Sequence, residues 1–194
     1  YSAAMLAADT VGLLRELGLP KAHVMGHSMG GFIAQEMALS YPDMVDKLIL
    51  ASTNFGGPRH LPITAEAMAV LSDMTSDPVT RFKNGLAVST APGWSENNGP
   101  MIDEWLQWRI ANPISPAAYQ AQMAIGLGLL AEEASFEQRL PAIQSSTLIL
   151  FGAHDKVVPP GNADLLAAKI PHSTVHILPN AGHFFPIETP EEAN

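Results

Sequence analysis

The chain has 194 residues, of which 47% are hydrophobic and 15% are charged, and its formal net charge is −9. This composition is too apolar for a disordered chain, and 10 basic residues against 19 acidic ones exclude the basic stripe of a nucleic-acid binder. The absence of cysteine excludes disulfides, thiolate metal sites and a cysteine nucleophile. No apolar stretch of the sequence is long enough to span a bilayer, so we expect a soluble, cytoplasmic protein that binds neither nucleic acid nor a membrane.

The chain begins with a predicted helix, a strand and a second helix. The first helix is predicted to start after Ser2, which caps it, and to end at Gly18. Its larger apolar side chains share one face: Met5, Leu6, Leu13, Leu14 and Leu17. Residues 21–26 predict a short strand, and residues 30–40 predict a helix that stops before Tyr41 and Pro42. A strand followed directly by a helix is typical of an α/β protein.

Three further strands continue this pattern. Residues 47–52 and 147–151 have the apolar composition of buried strands, whereas residues 174–178 alternate as an edge strand does. A helix is predicted over residues 161–169, between the last two strands. The repeated order of strand and helix predicts a mostly parallel sheet flanked by helices.

A long insertion, residues 56–133, separates the second predicted strand from the third. Its pattern predicts helices over 64–73, 78–89, 99–110 and 116–132. We expect an α/β core of residues 1–55 and 134–194 and a helical cap, or lid, of residues 56–133. Large side chains of the cap either belong to its own core or line a substrate pocket: Trp94, Trp105, Trp108, Met101 and Met123.

The strongest motif is Gly26-His27-Ser28-Met29-Gly30, a G-x-S-x-G pattern where a predicted strand meets a predicted helix. A serine on so sharp a turn has a strained backbone, and we expect crowding to require glycine, or a residue nearly as small, at both Gly26 and Gly30. The turn presents Ser28 as a nucleophile at a helix N-terminus, where the Met29 N–H can bind an oxyanion. His27 is expected to pack in the substrate pocket rather than to act as a base.

A serine nucleophile needs a base and an acid that orients the base. Asp155 follows the strand at 147–151 and His183 follows the strand at 174–178, which is the order expected for an acid and a general base in this architecture. In the alternative interpretation, Asp155 only caps the next helix and His183 is only solvated. Glu188 is expected at the surface. No metal-ligand spacing such as H-E-x-x-H occurs, so we expect no metal and no cofactor.

These motifs lie in segments that resemble the α/β-hydrolase superfamily, more narrowly its lid-bearing esterases, 3-oxoadipate enol-lactonases, arylesterases and perhydrolases. The similar segments are LLRELGLPKAHVMGHSMGGFIAQEMALSYPDMVDKLILAS, LPAIQSSTLILFGAHDKVVPP and LPNAGHFFPIETPEE. The resemblance implies the family's fold and cap, a triad of Ser28, His183 and Asp155, and the Met29 N–H as one oxyanion donor. It implies a serine hydrolase that cleaves carboxylic esters or lactones through an acyl-enzyme. Perhydrolases, C–C bond hydrolases and aminopeptidases share this triad, so they stay open.

The family's first strands, and the His-Gly loop that supplies its second oxyanion donor, have no counterpart in this sequence. The segment Thr189-Pro190-Glu191-Glu192 predicts a helix start two residues before the last residue. We therefore expect a segment of a longer protein, with an open edge on the strand at 21–26 that can pair with another copy or exchange strands. The alternative functions are an inactive fragment and a non-catalytic protein that binds small molecules on the same fold.

Overall fold

A four-stranded sheet with the strand order β1, β2, β3, β4 organises the fold. The computed structural model describes residues 1–73 and 75–194. The strands are β1 Ala22–His27, β2 Val45–Ala51, β3 Ser146–Gly152 and β4 Ser173–Leu178. β1 pairs with β2, and β2 with β3, in parallel. The four predicted strands are confirmed to within two residues at each end, and β4 lies at an edge, as its alternating pattern predicts.

Helices connect the strands and fill the insertion. In the described part of the chain they are α1 Ala3–Glu16, α2 Met29–Ser40, α3 Ala65–Leu71, α4 Pro78–Ser89, α5 Trp94–Asn97, α6 Gly99–Ala111, α7 Pro116–Gly128, α8 Asn162–Ala167, α9 Phe185–Glu188 and α10 Pro190–Ala193. The helices predicted in the insertion are confirmed, although α7 ends at Gly128 rather than at residue 132. None of the helices described here is both long and apolar enough to cross a membrane.

The chain folds into two compact units. The first consists of Tyr1–Leu61, Pro116–Leu150 and Gly161–His176, and the second consists of Pro62–Ser115, Phe151–Pro160 and Ile177–Asn194. Buried apolar side chains form the core of each unit: Met37, Leu48, Leu50, Phe55, Phe136 and Ile149 in the first, and Leu86, Ile102, Phe151, Leu178 and Phe185 in the second. The expected division into a core and a cap at residues 56–133 stays a prediction.

The helix α1 does not bury the face that carries its larger apolar side chains. Its ends are as predicted, because Ser2 Oγ accepts a hydrogen bond from the Met5 N–H and Gly18 has a φ of 68°. Its buried residues, however, are Ala3, Ala7 and Val11, while Leu13 and Leu17 are 59% and 62% exposed. The physical reason is that α1 packs on α2, and small side chains allow two helices to approach closely.

Candidate active site

Ser28 connects β1 directly to α2 in a strained conformation. Its φ is 54° and its ψ is −119°, values that a non-glycine residue adopts at a cost of about 1–3 kcal/mol. The parallel register pairs His27 with Ala51, and the Ser28 N–H donates to the Ala51 carbonyl oxygen at 2.9 Å. The end of β2 thus holds the backbone of the turn, and the prediction of a strained strand-to-helix turn at Ser28 is confirmed.

The crowding expected at this turn occurs at one glycine and not at the other. A Cβ atom added to Gly26 would lie 2.3 Å from the Gly30 carbonyl oxygen and 2.6 Å from the Ala34 Cβ. A Cβ atom added to Gly30 would meet nothing within 4 Å. The crowding expected at Gly30 is therefore absent, because it is the backbone of Gly30 that fills the space beside Gly26.

The side chain of Ser28 stands at the N-cap position of α2, but in the described structure it makes no capping hydrogen bond to that helix. Met29 is the first residue of α2, so its N–H is one of those that have no acceptor within the helix. Both features leave polar atoms at the turn available to a bound molecule. His27 is the last residue of β1 and is half-buried. Its place in a pocket stays a prediction.

Asp155 lies on the loop after β3 and is buried. Its Oδ1 accepts hydrogen bonds from the backbone N–H groups of Val157 and Val158 at 2.9 and 2.8 Å. These bonds fix the carboxylate and leave Oδ2 to face His183. Asp155 therefore makes hydrogen bonds like those of a capping aspartate, as the alternative interpretation expects. These bonds use only Oδ1 of the carboxylate, however.

His183 lies on the loop after β4 and is also buried. Its Nδ1 lies 2.9 Å from Asp155 Oδ2, and its backbone N–H donates to the Ser89 carbonyl oxygen at 2.7 Å. A carboxylate facing Nδ1 favours the tautomer that carries its proton there, which leaves Nε2 as a proton acceptor. The interpretation of His183 as a merely solvated residue is therefore wrong.

Gly152 brings the loops of Asp155 and His183 together, and Gly182 brings the His183 loop against the end of α4. A Cβ atom on Gly152 would lie 2.2 Å from the Gly182 carbonyl oxygen, and one on Gly182 would lie 2.7 Å from the Thr90 carbonyl carbon. The His154 N–H donates to the Ala181 carbonyl oxygen at 2.9 Å. Backbone contacts, and not only the bond between the two side chains, therefore determine the separation of the acid from the imidazole.

The prediction that Glu188 lies at the surface is wrong. It is half-buried, and its carboxylate accepts hydrogen bonds from the Ala91 N–H at 2.6 Å and from the Gly182 N–H at 3.0 Å to each oxygen. Burial raises the pKa of Glu188, the backbone donors oppose the rise, and the charge of Asp155 adds to it. Glu188 thus binds the backbone of the His183 loop. The signal for this role in the sequence is its position at the end of the short helix α9, which directly follows that loop.

The three tryptophans of the predicted pocket have different surroundings. Trp94 on α5 and Trp105 on α6 stack on each other with ring centroids 6.2 Å apart, whereas Trp108 is 68% exposed. A cavity of about 200 Å³ lies in the same unit. It is lined by Lys83, Ser95, Glu96, Gly99, Ile102 and Asp103. The pocket role of the tryptophans stays a prediction.

The described residues contain no cluster of three or more His, Asp or Glu side chains arranged to hold a metal ion. The structure joins Asp155 to His183 within the second unit, while Ser28, Met29 and the elbow glycines lie in the first.

The model of the alpha/beta hydrolase fold family matches residues 1–190, so the chain belongs to that family. This confirms the resemblance and the fold class expected from the sequence. Among curated relatives, it is 31% identical over 186 residues to 2-hydroxy-6-oxononadienedioate/2-hydroxy-6-oxononatrienedioate hydrolase 2 of Pseudomonas putida. That match covers 94% of this chain and 63% of the relative, so the chain spans less than two thirds of the relative's length.

Solved structures resemble the chain over its whole length. An N-acyl homoserine lactone degrading enzyme is 27% identical with a TM-score of 0.79, and the match covers 100% of this chain and 73% of that one. The esterase of Exiguobacterium antarcticum is 25% identical with a TM-score of 0.78, and the coverage is 100% and 71%.

Proposed function

We propose that the chain carries the catalytic residues of a serine hydrolase that cleaves carboxylic esters or lactones through an acyl-enzyme. The observation that carries this proposal is the backbone of Ser28, held at a φ of 54° and a ψ of −119° between β1 and α2. Strain of this kind persists where function requires it, and here it falls on the serine of a G-x-S-x-G motif. The buried hydrogen bond between Asp155 and His183 supports the proposal because it supplies an oriented base.

In the proposed reaction, Ser28 Oγ attacks the carbonyl carbon while His183 Nε2 takes the hydroxyl proton. The oxyanion accepts a hydrogen bond from the Met29 N–H. The carbon–oxygen bond to the leaving group then breaks, and His183 returns the proton to the departing alkoxide. Water, deprotonated by His183, attacks the acyl group and releases the carboxylic acid with Ser28 restored. Asp155 keeps the Nδ1 proton of the imidazole directed toward itself.

A second candidate is the hydrolysis of a carbon–carbon bond in a 2-hydroxy-6-oxo dienoate. The similarity to the Pseudomonas putida hydrolase favours it, because that relative is named for such a substrate. The same serine, histidine and aspartate would serve both reactions. The two candidates therefore differ in substrate and not in machinery.

The decisive experiment is labelling of the purified chain with a fluorophosphonate, which reacts with activated serines, followed by peptide mass spectrometry. Ser28→Ala and His183→Ala are the test variants, and Ser72→Ala removes an exposed helix-end serine as a matched control. We expect one adduct on Ser28 that is lost in both test variants and kept in the control. An adduct elsewhere, or none on a chain shown to be folded by circular dichroism, would contradict the proposal.

Turnover then separates the two substrate classes. We expect kcat/KM for p-nitrophenyl esters or N-acyl lactones to exceed that for 2-hydroxy-6-oxononadienedioate by tenfold or more. The reverse ratio would assign the carbon–carbon bond reaction instead. Ligand binding without a Ser28 adduct and without turnover of either class would contradict both candidates and indicate a binding protein.

A further inference from the structure

Thr53 is a buried residue just beyond β2 whose side chain contacts the Ser28 turn. Its exposed fraction is 1%, and its Oγ1 donates a hydrogen bond to the Ser28 carbonyl oxygen at 2.8 Å. Ser52, the residue between the strand and Thr53, has a φ of 44°, so the chain turns sharply there. This turn places the Thr53 side chain against the start of α2.

Thr53 packs so closely on α2 that no side chain fits at Gly31. A Cβ atom on Gly31 would lie 2.3 Å from Thr53 Oγ1 and 2.5 Å from Thr53 Cγ2. The Gln35 side-chain amide also donates to the Asn54 carbonyl oxygen at 2.9 Å. Residues 51–54 and the first turns of α2 are therefore held together by hydrogen bonds and by close packing.

The bond from Thr53 acts on the peptide group that follows Ser28. The Ser28 carbonyl and the Met29 N–H belong to one planar peptide, so a bond that fixes the direction of the carbonyl also fixes the direction of the N–H. The Gly31 N–H donates to the same carbonyl at 2.9 Å, from within the helix. Thr53 donates from outside the helix. Its hydrogen bond therefore opposes rotation of the peptide plane between Ser28 and Met29.

We propose that Thr53 is a positioning residue that orients the peptide between Ser28 and Met29, and through it the nucleophile and the oxyanion donor. This inference rests on the proposed function, because it gives Thr53 a role in the same reaction. The oxyanion bond strengthens as the transition state forms, so a misdirected N–H lowers kcat more than it raises KM.

The test compares two single-atom changes at Thr53. Thr53→Val keeps the shape and removes the hydroxyl, and Thr53→Ser keeps the hydroxyl and removes the methyl group. We expect kcat to fall about tenfold to a hundredfold in Thr53→Val, below the 10²–10³ lost when an oxyanion donor is deleted, with KM changed less than about threefold. Thr53→Ser should keep most of the wild-type kcat. A purely packing role predicts the opposite order, because serine leaves a cavity and valine does not.

The outcomes separate the role of Thr53 from the proposed function itself. If Thr53→Ser loses more activity than Thr53→Val, or if Thr53→Val has the wild-type kcat, the role assigned to Thr53 is wrong while the serine hydrolase stands. If wild-type Ser28 takes up no fluorophosphonate, the proposed function fails, and the role of Thr53 fails with it. Should Thr53→Val not fold, Thr53→Cys replaces it: the thiol is somewhat larger than a hydroxyl but a much weaker hydrogen-bond donor, and a kcat equal to that of Thr53→Ser would overturn the inference.

Discussion

At the residue scale, the turn at Ser28 depends on the backbone of its neighbours. Gly26 faces the Gly30 carbonyl oxygen, and the Ser28 N–H is held by the Ala51 carbonyl oxygen. These contacts keep Ser28 in a conformation that the isolated residue disfavours. Steric exclusion therefore explains the first glycine of the G-x-S-x-G motif, Gly26. Backbone strain is the feature that distinguishes its serine, Ser28.

The two elbow glycines should respond differently to alanine. Gly26→Ala is expected to lower the free energy of unfolding by about 1–3 kcal/mol, because its new Cβ overlaps the Gly30 backbone. Gly30→Ala is the matched control and should be neutral or stabilise by up to about 1 kcal/mol, since its Cβ has free space in a helix. Urea unfolding of the two variants measures both values. Equal losses would contradict the steric account.

The bond between Asp155 and His183 gives a second prediction at this scale. Asp155→Asn should lower kcat by about 10⁴ with little change in the fold, because the amide can present its NH₂ group to Nδ1 and stabilise the wrong imidazole tautomer. Steady-state kinetics with the best ester substrate measures the loss. A kcat within tenfold of wild type would show that His183 does not depend on this acid.

At the element scale, hydrogen bonds hold the loop that carries His183 at the end of α4. The His183 N–H binds the Ser89 carbonyl oxygen, and Glu188 at the end of α9 binds the N–H groups of Gly182 and Ala91. A single carboxylate thus joins three segments of the second unit. Because both of its oxygens accept backbone donors, its removal leaves more than one polar group without a partner.

Glu188→Ala is therefore expected to lower the free energy of unfolding by about 1–3 kcal/mol. Glu191→Ala, at an exposed position on the neighbouring helix α10, is the control and should change it by less than about 0.5 kcal/mol. Denaturant unfolding monitored by tryptophan fluorescence measures both. A Glu188 variant as stable as the Glu191 variant would mean that water replaces the carboxylate without cost.

At the scale of the whole molecule, two carboxylates of the first unit connect residues far apart in the chain. Glu36 on α2 pairs with Arg139 at 2.8 Å, and Glu137 pairs with Arg59 at 2.6 Å and with Lys169 at 3.2 Å. Burial by itself would raise the pKa of Glu36, but hydrogen bonds from Arg139 and Ser40 outweigh it and hold this pKa below its ordinary value.

The Glu36 pair should therefore contribute to stability at neutral pH and lose that contribution in acid. A carboxyl whose pKa is lowered by folding stabilises the protein above the ordinary glutamate value of about 4.3, and the effect disappears as the pH falls through the lower folded-state pKa. We expect Glu36→Gln to destabilise the protein more at pH 7 than near pH 3 in urea unfolding. Glu104→Gln, an exposed glutamate on α6, is the control. An equal effect of Glu36→Gln at both pH values would contradict this account.

The sequence by itself determined the strands, the longer helices and the order of Ser28, Asp155 and His183 along the chain. These features depend on local patterns, such as apolar periodicity, caps and turn glycines, that involve residues a few positions apart. The elbow could be predicted for the same reason, because its motif lies within five consecutive residues.

Only the tertiary structure decided which groups face one another. It placed the alanine face of α1, and not its leucine face, in the core, and it located the crowding at Gly26 rather than at Gly30. It also brought Glu188 to the His183 loop and Thr53 to the Ser28 carbonyl. None of these contacts could be predicted from the sequence, because each depends on the shape of a partner whose position is set by the packing of the chain as a whole.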